Sequence, residues 1–261
     1  MSAGPVRIEQ SLRERIGQGG KCLVPYITGG FDGYIDAIYA AAEAGADAIE
    51  VGIPFSDPVM DGPTIQQAND IVLARKITPL DILQDIRDLD IEVPLAVMTY
   101  YNIVYRFGLE RFANALYESG ISGAILPDLP LNEADDWINA ASDNGTETIM
   151  LAAPTTTETR LEELCAHTKG FVYAVGLLGI TGVRAELARS AVVIAGRCKA
   201  VTDKPVLVGV GIGTAEQAKE VSKVADGCIV GSAIVQKLLN NEGPESVGKF
   251  VKAIRAALDD S

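Results

Sequence analysis

The chain of 261 residues has a single histidine, His167, and that scarcity removes whole classes of chemistry. A Ser–His–Asp triad and a polyhistidine metal site both need imidazoles that the chain does not have. His167 itself ends a helical pattern in LEELCAHTKG, where a basic residue complements a helix C-terminus. The four cysteines, Cys22, Cys165, Cys198 and Cys228, form no C-x-x-C pair. That spacing argues against a thiolate metal site or a redox dithiol, and for buried free thiols in a reducing compartment. No apolar run approaches the roughly 18–20 residues a membrane span needs. The opening stretch MSAGPVRIEQSLRER has no apolar secretory core, so a cytoplasmic location is expected. Basic residues are also short: 22 Lys and Arg against 35 Asp and Glu leave a net charge of −13. Such a chain is a poor match to a nucleic-acid backbone or an anionic membrane. Acid–base work is thereby left to carboxylates, Tyr, Lys or Cys.

What is present reads as one repeating plan. A hydrophobic fraction of 48% with 22% charged residues is that of a globular chain. Short aliphatic runs near Leu23–Thr28, Ala48–Gly52, Leu95–Tyr100, Ala124–Leu126, Thr148–Leu151, Phe171–Val175, Val206–Val210 and Cys228–Val230 predict eight strands. Several are apolar throughout, as parallel strands covered on both faces must be. Amphipathic segments lie between them. Ile35, Ile38, Tyr39 and Ala42 share a helical face that Gly45 stops. Asn132 is placed to cap a helix through Glu133, Trp137, Ile138 and Ala141, and Thr155/Glu158 and Thr214/Gln217 have capping-box spacing. Eight such units in about 250 residues predict a (β/α)₈, or TIM, barrel. No linker breaks the pattern, so residues 1–261 are expected to form one domain, with about residues 1–20 a helix (Ile8, Leu12, Ile16) closing one end. A doubly wound sheet is the alternative. The longest units, Ala48 to Leu95 and Phe171 to Val206, predict extended loops after strands two and six, over the C-terminal face where such barrels do chemistry.

The loop after strand two opens on Glu50, inside the apolar run AIEVG. A carboxylate aimed inward there is costly to desolvate, and the raised pKa that results suits a general acid or base. An ion-paired structural glutamate is the other reading. Asp57 and Asp61 follow in S-D-P and D-G-P contexts, which turn chemistry alone also explains. The intervening Pro/Gly loop can fold back and bring Glu50 and Asp61 over one pocket. After strand six, GLLGITGVRAEL carries Gly176, Gly179 and Gly182 around Thr181, either a hinged lid or a plain connector. LVGVGIGTAEQA is neither a dinucleotide fingerprint nor a P-loop. Together with IVGSAIV it instead supplies glycines and helix N-termini after strands seven and eight, the usual phosphate site of this barrel class.

These segments resemble the tryptophan synthase α-subunit family, above all in EVGIPFSDPVMDGPTIQQA. VPYITGG, TYYN, PDLP, the Tyr173 strand with GITG, GVGIGT and VGSAIV extend the likeness from Leu23 to the last helix. The resemblance implies a lyase that cleaves indole-3-glycerol phosphate to indole and glyceraldehyde 3-phosphate, with Glu50 as acid–base group and Asp61 holding the indole N–H. It assigns Tyr26, Met98, Tyr100, Ile125, Leu151 and Tyr173 to the indole and glyceryl pocket and Thr181 to a contact with Asp61. Gly182, Gly211, Gly231 and Ser232 would take the phosphate, and Asp57 would face a partner. By the resemblance that partner would be a β subunit in an α₂β₂ complex, which would carry pyridoxal phosphate and receive indole; this chain itself is expected to hold neither cofactor nor metal. Four residues depart from the family's habit: Gly176 and Leu177 in the lid, Tyr26 where Phe is common, and Val210 where Phe is common. A stand-alone lyase releasing indole and a non-catalytic barrel that activates a β subunit are the competing readings; the intact Glu50–Asp61 pair speaks against the latter. Isomerases of phosphorylated sugars share the phosphate loops but do not require the EVGIPFSDP…DGP segment.

Overall fold

Parallel strands buried on both faces need two apolar stripes, and the alternation of side chains along each strand divides them between two cores. A computed structural model describes residues 5–176, 184–209 and 211–260. Along them run α1 (Ile8–Gly17), β1 (Cys22–Thr28), α2 (Tyr34–Glu43), β2 (Ile49–Gly52), α3 (Pro63–Ala74), α4 (Pro79–Arg87), β3 (Leu95–Met98), α5 (Tyr101–Phe107) and α6 (Leu109–Glu118). Then come β4 (Ile121–Ile125), a 3₁₀ turn (Leu131–Glu133), α7 (Asp135–Asp143), β5 (Glu147–Ala152), α8 (Glu158–His167), β6 (Val172–Ala174) and α9 (Arg184–Val201). β7 (Val206–Val208), α10 (Ala215–Ser222), β8 (Gly227–Val230), α11 (Ser232–Leu239) and α12 (Pro244–Asp259) complete the order. Each strand pairs in parallel with the next and β8 pairs with β1, so the sheet closes into the predicted barrel.

Outward-facing Ile27, Val51, Val97, Ala124, Val172, Val208 and Val230 pack under the helices. Inward-facing Val24, Ala48, Ala96, Ile125, Ile149, Phe171, Leu207 and Ile229 fill the barrel. Fully burying one such aliphatic side chain contributes about 1.5–3 kcal/mol, so the two layers dominate stability. Ile8 and Leu12 of α1 are completely buried and join the interior cluster, so this helix plugs the N-terminal end. The helix has no side-chain cap of its own. The buried Glu147 carboxylate at the start of β5 accepts the N–H groups of Ile8 (2.7 Å) and Glu9 (3.2 Å) instead. At the same end, Asp47 accepts from Leu23 N–H (2.7 Å) and Arg255 (3.0 Å), and Arg255 also reaches the Lys21 carbonyl (2.7 Å), tying α12 to β1.

Four local expectations are corrected. The buried face of α2 is Tyr34, Ala37, Ile38 and Ala41, a rotation from the predicted stripe. Asn132 caps nothing: it lies in the 3₁₀ turn and accepts from Arg160 (2.6 Å). Thr155 makes no capping box, because α8 begins after Thr157, and Thr156 serves the turn by accepting from Ala153 N–H (3.1 Å). The extra chain after β2 is only partly loop, since α4 occupies much of it, with its own capping box of Thr78 and Asp81. The Thr214/Gln217 box is present as expected.

Candidate active site

Register places the first carboxylate. Tyr26 on β1, Glu50 on β2 and Ala96 on β3 are lateral neighbours, so their side chains share the inner face near the C-terminal end of the barrel. Glu50 is 1% exposed, and neither carboxylate oxygen has a hydrogen-bond partner. Burial above all, and then the charge of Asp61, pushes its pKa up to about 8. Among the described residues no cation answers it, which speaks against the ion-paired structural reading. A carboxyl of this kind both holds and releases a proton near neutral pH.

Asp61 arrives from the loop that precedes α3. Pro63 fixes the first turn of that helix, and Gln66 folds back to donate to the Asp61 carbonyl (2.7 Å). The Asp61 carboxylate accepts from Asn69 Nδ2 (3.0 Å) and is hydrogen-bonded by the Tyr100 hydroxyl. Burial raises its pKa, and these two neutral donors pull the other way. The Tyr100 oxygen also accepts Met60 N–H (3.1 Å), and the Tyr100 ring stacks on Phe55 at 5.1 Å. Tyr100 therefore anchors the loop. The resemblance puts it on the pocket wall; in the fold it stands behind Asp61, as the residue before α5 and not as the last of β3.

One cavity of about 350 Å³ brings the carboxylates together with most of the predicted residues. Tyr26, Glu50, Asp61, Met98, Ile125, Leu151, Tyr173, Gly211, Gly231 and Ser232 all line it, with Met60, Ile65, Val175 and Ile229 adding apolar wall. Asp57 is exposed on the loop outside the cavity, accepting from Ser56 (2.6 Å). Thr181, Gly182, Leu177 and Val210 lie outside the described residues. Tyr26 and Tyr173 mirror each other: each phenol reaches over a glycine at the C-terminal end of the neighbouring strand, Gly52 as the last of β2 or Gly209 just after β7, where a Cβ would overlap it. Burial keeps both phenols protonated, with pKa values well above the usual tyrosine range.

The two candidate phosphate loops differ. At α10 the Gly213 and Thr214 N–H groups already donate to Gln217 (2.7 and 3.2 Å). α11 has Gly231 at its N-cap, no side-chain cap, and Gly231 and Ser232 on the cavity wall. The open helix terminus, suited to an anion, is thus the one after β8.

Asn69 is a site residue that the sequence pattern does not single out. The available signal is a polar residue within the apolar stripe Ile65, Ala68, Val72. Among the described residues no group of three metal-binding side chains forms, and His167 ends α8 on the surface with Nδ1 against the Glu163 carbonyl (2.8 Å).

A family model described as tryptophan synthase alpha chain matches residues 12–259. The tryptophan synthase alpha chain of Streptomyces coelicolor is 41% identical, across 99% of this chain and 97% of its own length. That of Methanosarcina mazei is 45% identical across 88% of both. Tryptophan synthase of Mycobacterium tuberculosis superposes with a TM-score of 0.88 at 36% identity, covering 97% of this chain and 98% of the other. Subunit alpha from Legionella pneumophila gives 0.85 at 33%, covering 98% and 99%. Similarity that runs almost end to end in both sequence and backbone is more than a shared barrel: the chain belongs to the tryptophan synthase alpha chain family.

Proposed function

We propose that this chain cleaves indole-3-glycerol phosphate to indole and glyceraldehyde 3-phosphate, as the α subunit of a tryptophan synthase. The observation that carries the reading is Glu50, a buried carboxyl with unpartnered oxygens and a pKa near 8, sharing one apolar cavity with Asp61. Protonated Glu50 gives its proton to indole C3, and the ring becomes a cationic indolenine whose N–H is held by Asp61. The glyceryl hydroxyl next to C3 then loses its proton to the Glu50 carboxylate. Its oxygen forms the aldehyde C=O as the C3–C bond breaks, and that electron pair returns to the ring and neutralises the nitrogen. One proton enters at C3 and one leaves the hydroxyl, so the enzyme ends as it began. Attraction between Asp61 and a charge that grows during the reaction stabilises the transition state more than the ground state.

Met98, Ile125 and Leu151 offer a flat ring apolar contact, and Tyr26 and Tyr173 bring phenol donors to the same cavity. The N-terminus of α11, with Gly231 and Ser232, suits the phosphate, and Gly211, after the adjacent strand β7, lines the same cavity. The ring itself is the electron sink, so the reaction as written asks for no cofactor in this chain; pyridoxal phosphate belongs on this reading to a β subunit. Support for a partner over the barrel mouth comes from Val59, 71% exposed on the Asp57 loop next to cavity-lining Met60. None of the described helices is long and apolar enough to cross a membrane.

The test is steady-state cleavage of indole-3-glycerol phosphate by wild type and Glu50→Gln, with and without a β subunit. Weak activity alone, strong stimulation by the partner and near-total loss in the variant are expected. Undiminished turnover in Glu50→Gln refutes the mechanism, and full activity without a partner favours a stand-alone lyase.

A further inference from the structure

Helix α3 turns Ala68, Asn69 and Val72 into the molecule, and the middle one is out of place. Asn69 is 2% exposed; its Nδ2 donates to Asp61 at 3.0 Å, while its Oδ1 is buried without a partner. An amide with one polar end orphaned is a poor packing residue, and an aliphatic side chain would fill the stripe without that penalty. We propose that Asn69 is a positioning residue that holds the Asp61 carboxylate toward the pocket as a hydrogen-bond acceptor. The inference rests on the role given to Asp61 above.

The orientation of the amide is the chemical argument. Nδ2 toward Asp61 suits an ionised carboxylate, which only accepts; the reversed amide would present Oδ1, an arrangement only the protonated acid could use. Asp61 faces Glu50 from β2, Tyr26 from β1, Tyr173 from β6 and Tyr100 at the start of α5. Burial and this setting work against its charge, and the donors that offset burial, Tyr100 and Asn69, are both neutral. An arginine would also hold the carboxylate ionised, but would cancel the negative field that a cationic ring needs. A neutral amide fixes the carboxylate and leaves that field intact.

The experiment is the pH dependence of kcat and kcat/KM for indole-3-glycerol phosphate cleavage by the full chain. Wild type, Asn69→Leu, Asn69→Asp, Asp61→Asn and the Asp61→Asn/Asn69→Leu double variant are compared. Losing the donor should lower kcat about tenfold or more, with KM changed less than about threefold, because the interaction serves the transition state. The acid limb of kcat/KM should move up by about one pH unit in Asn69→Leu, and further in Asn69→Asp, which sets a like charge beside Asp61. In the Asp61→Asn background the Asn69→Leu change should cost less than about threefold. An unmoved acid limb, or full additivity in the double variant, overturns the inference. If Asn69→Leu does not fold, the isosteric Asn69→Asp decides alone through its acid limb. A wild-type chain that does not cleave the substrate refutes the reading of the site instead.

Discussion

Glu50 is the residue whose burial has a consequence for the whole fold. The native protein retains its proton up to about pH 8, whereas an unfolded glutamate releases it near 4.5. Between those values the native state binds more protons than the unfolded chain, so this group's contribution to stability falls as pH rises. Glu50→Gln removes the titration. The variant should melt at a temperature close to wild type at pH 5 and at least about 3 °C higher at pH 9, as differential scanning calorimetry would record. Equal gains at both pH values would show that Glu50 is not held protonated. The same residue is legible in the sequence, because a carboxylate inside the apolar run AIEVG is too costly to bury without a use. Asn69 is not, since a polar residue on a helix reads by default as a solvated one. Only the fold shows that its helix turns it inward against Asp61.

At the scale of elements, the strands are readable because burial on both faces demands unbroken apolar runs. The caps are less so. Asn132 and Thr155 have the right spacing, but Arg160, 28 residues on, claims the one and the turn at Ala153–Thr156 displaces the other, and a spacing rule weighs neither competitor. The N-terminal helix shows the same principle from the other side: α1 borrows its cap from Glu147, about 140 residues away in sequence. Replacing Glu147 with Ala leaves two helix N–H groups near the barrel floor unpaired. The cost should be about 1–3 kcal/mol, with a melting temperature roughly 2–4 °C lower per kcal/mol. The amides of α1 should lose hydrogen-exchange protection before those of the strands. A uniform loss across the barrel would show that Glu147 serves the sheet and not the helix.

For the whole molecule, the question is how a chain of net charge −13 accepts a phosphate ester. Among the described residues no Lys or Arg lines the cavity, so the anion would be met by peptide dipoles within a field of the same sign as its own. Such repulsion is long-ranged and screened by salt, whereas the contacts at the α11 terminus are short-ranged and hardly screened. KM for indole-3-glycerol phosphate should therefore fall, by less than about tenfold, as sodium chloride is raised from about 10 to about 150 mM, with kcat unchanged. A rising KM would place a cation at the phosphate.

The plugged floor of the barrel settles a matter of traffic. Ile8 and Leu12 fill one end, packed beneath the inward layer from Val24 to Ile229. Among the described residues the cavity therefore opens toward the loop end of the barrel and not toward α1. On the proposed function both products would depart on that same side, where a partner seated over the loops would meet them.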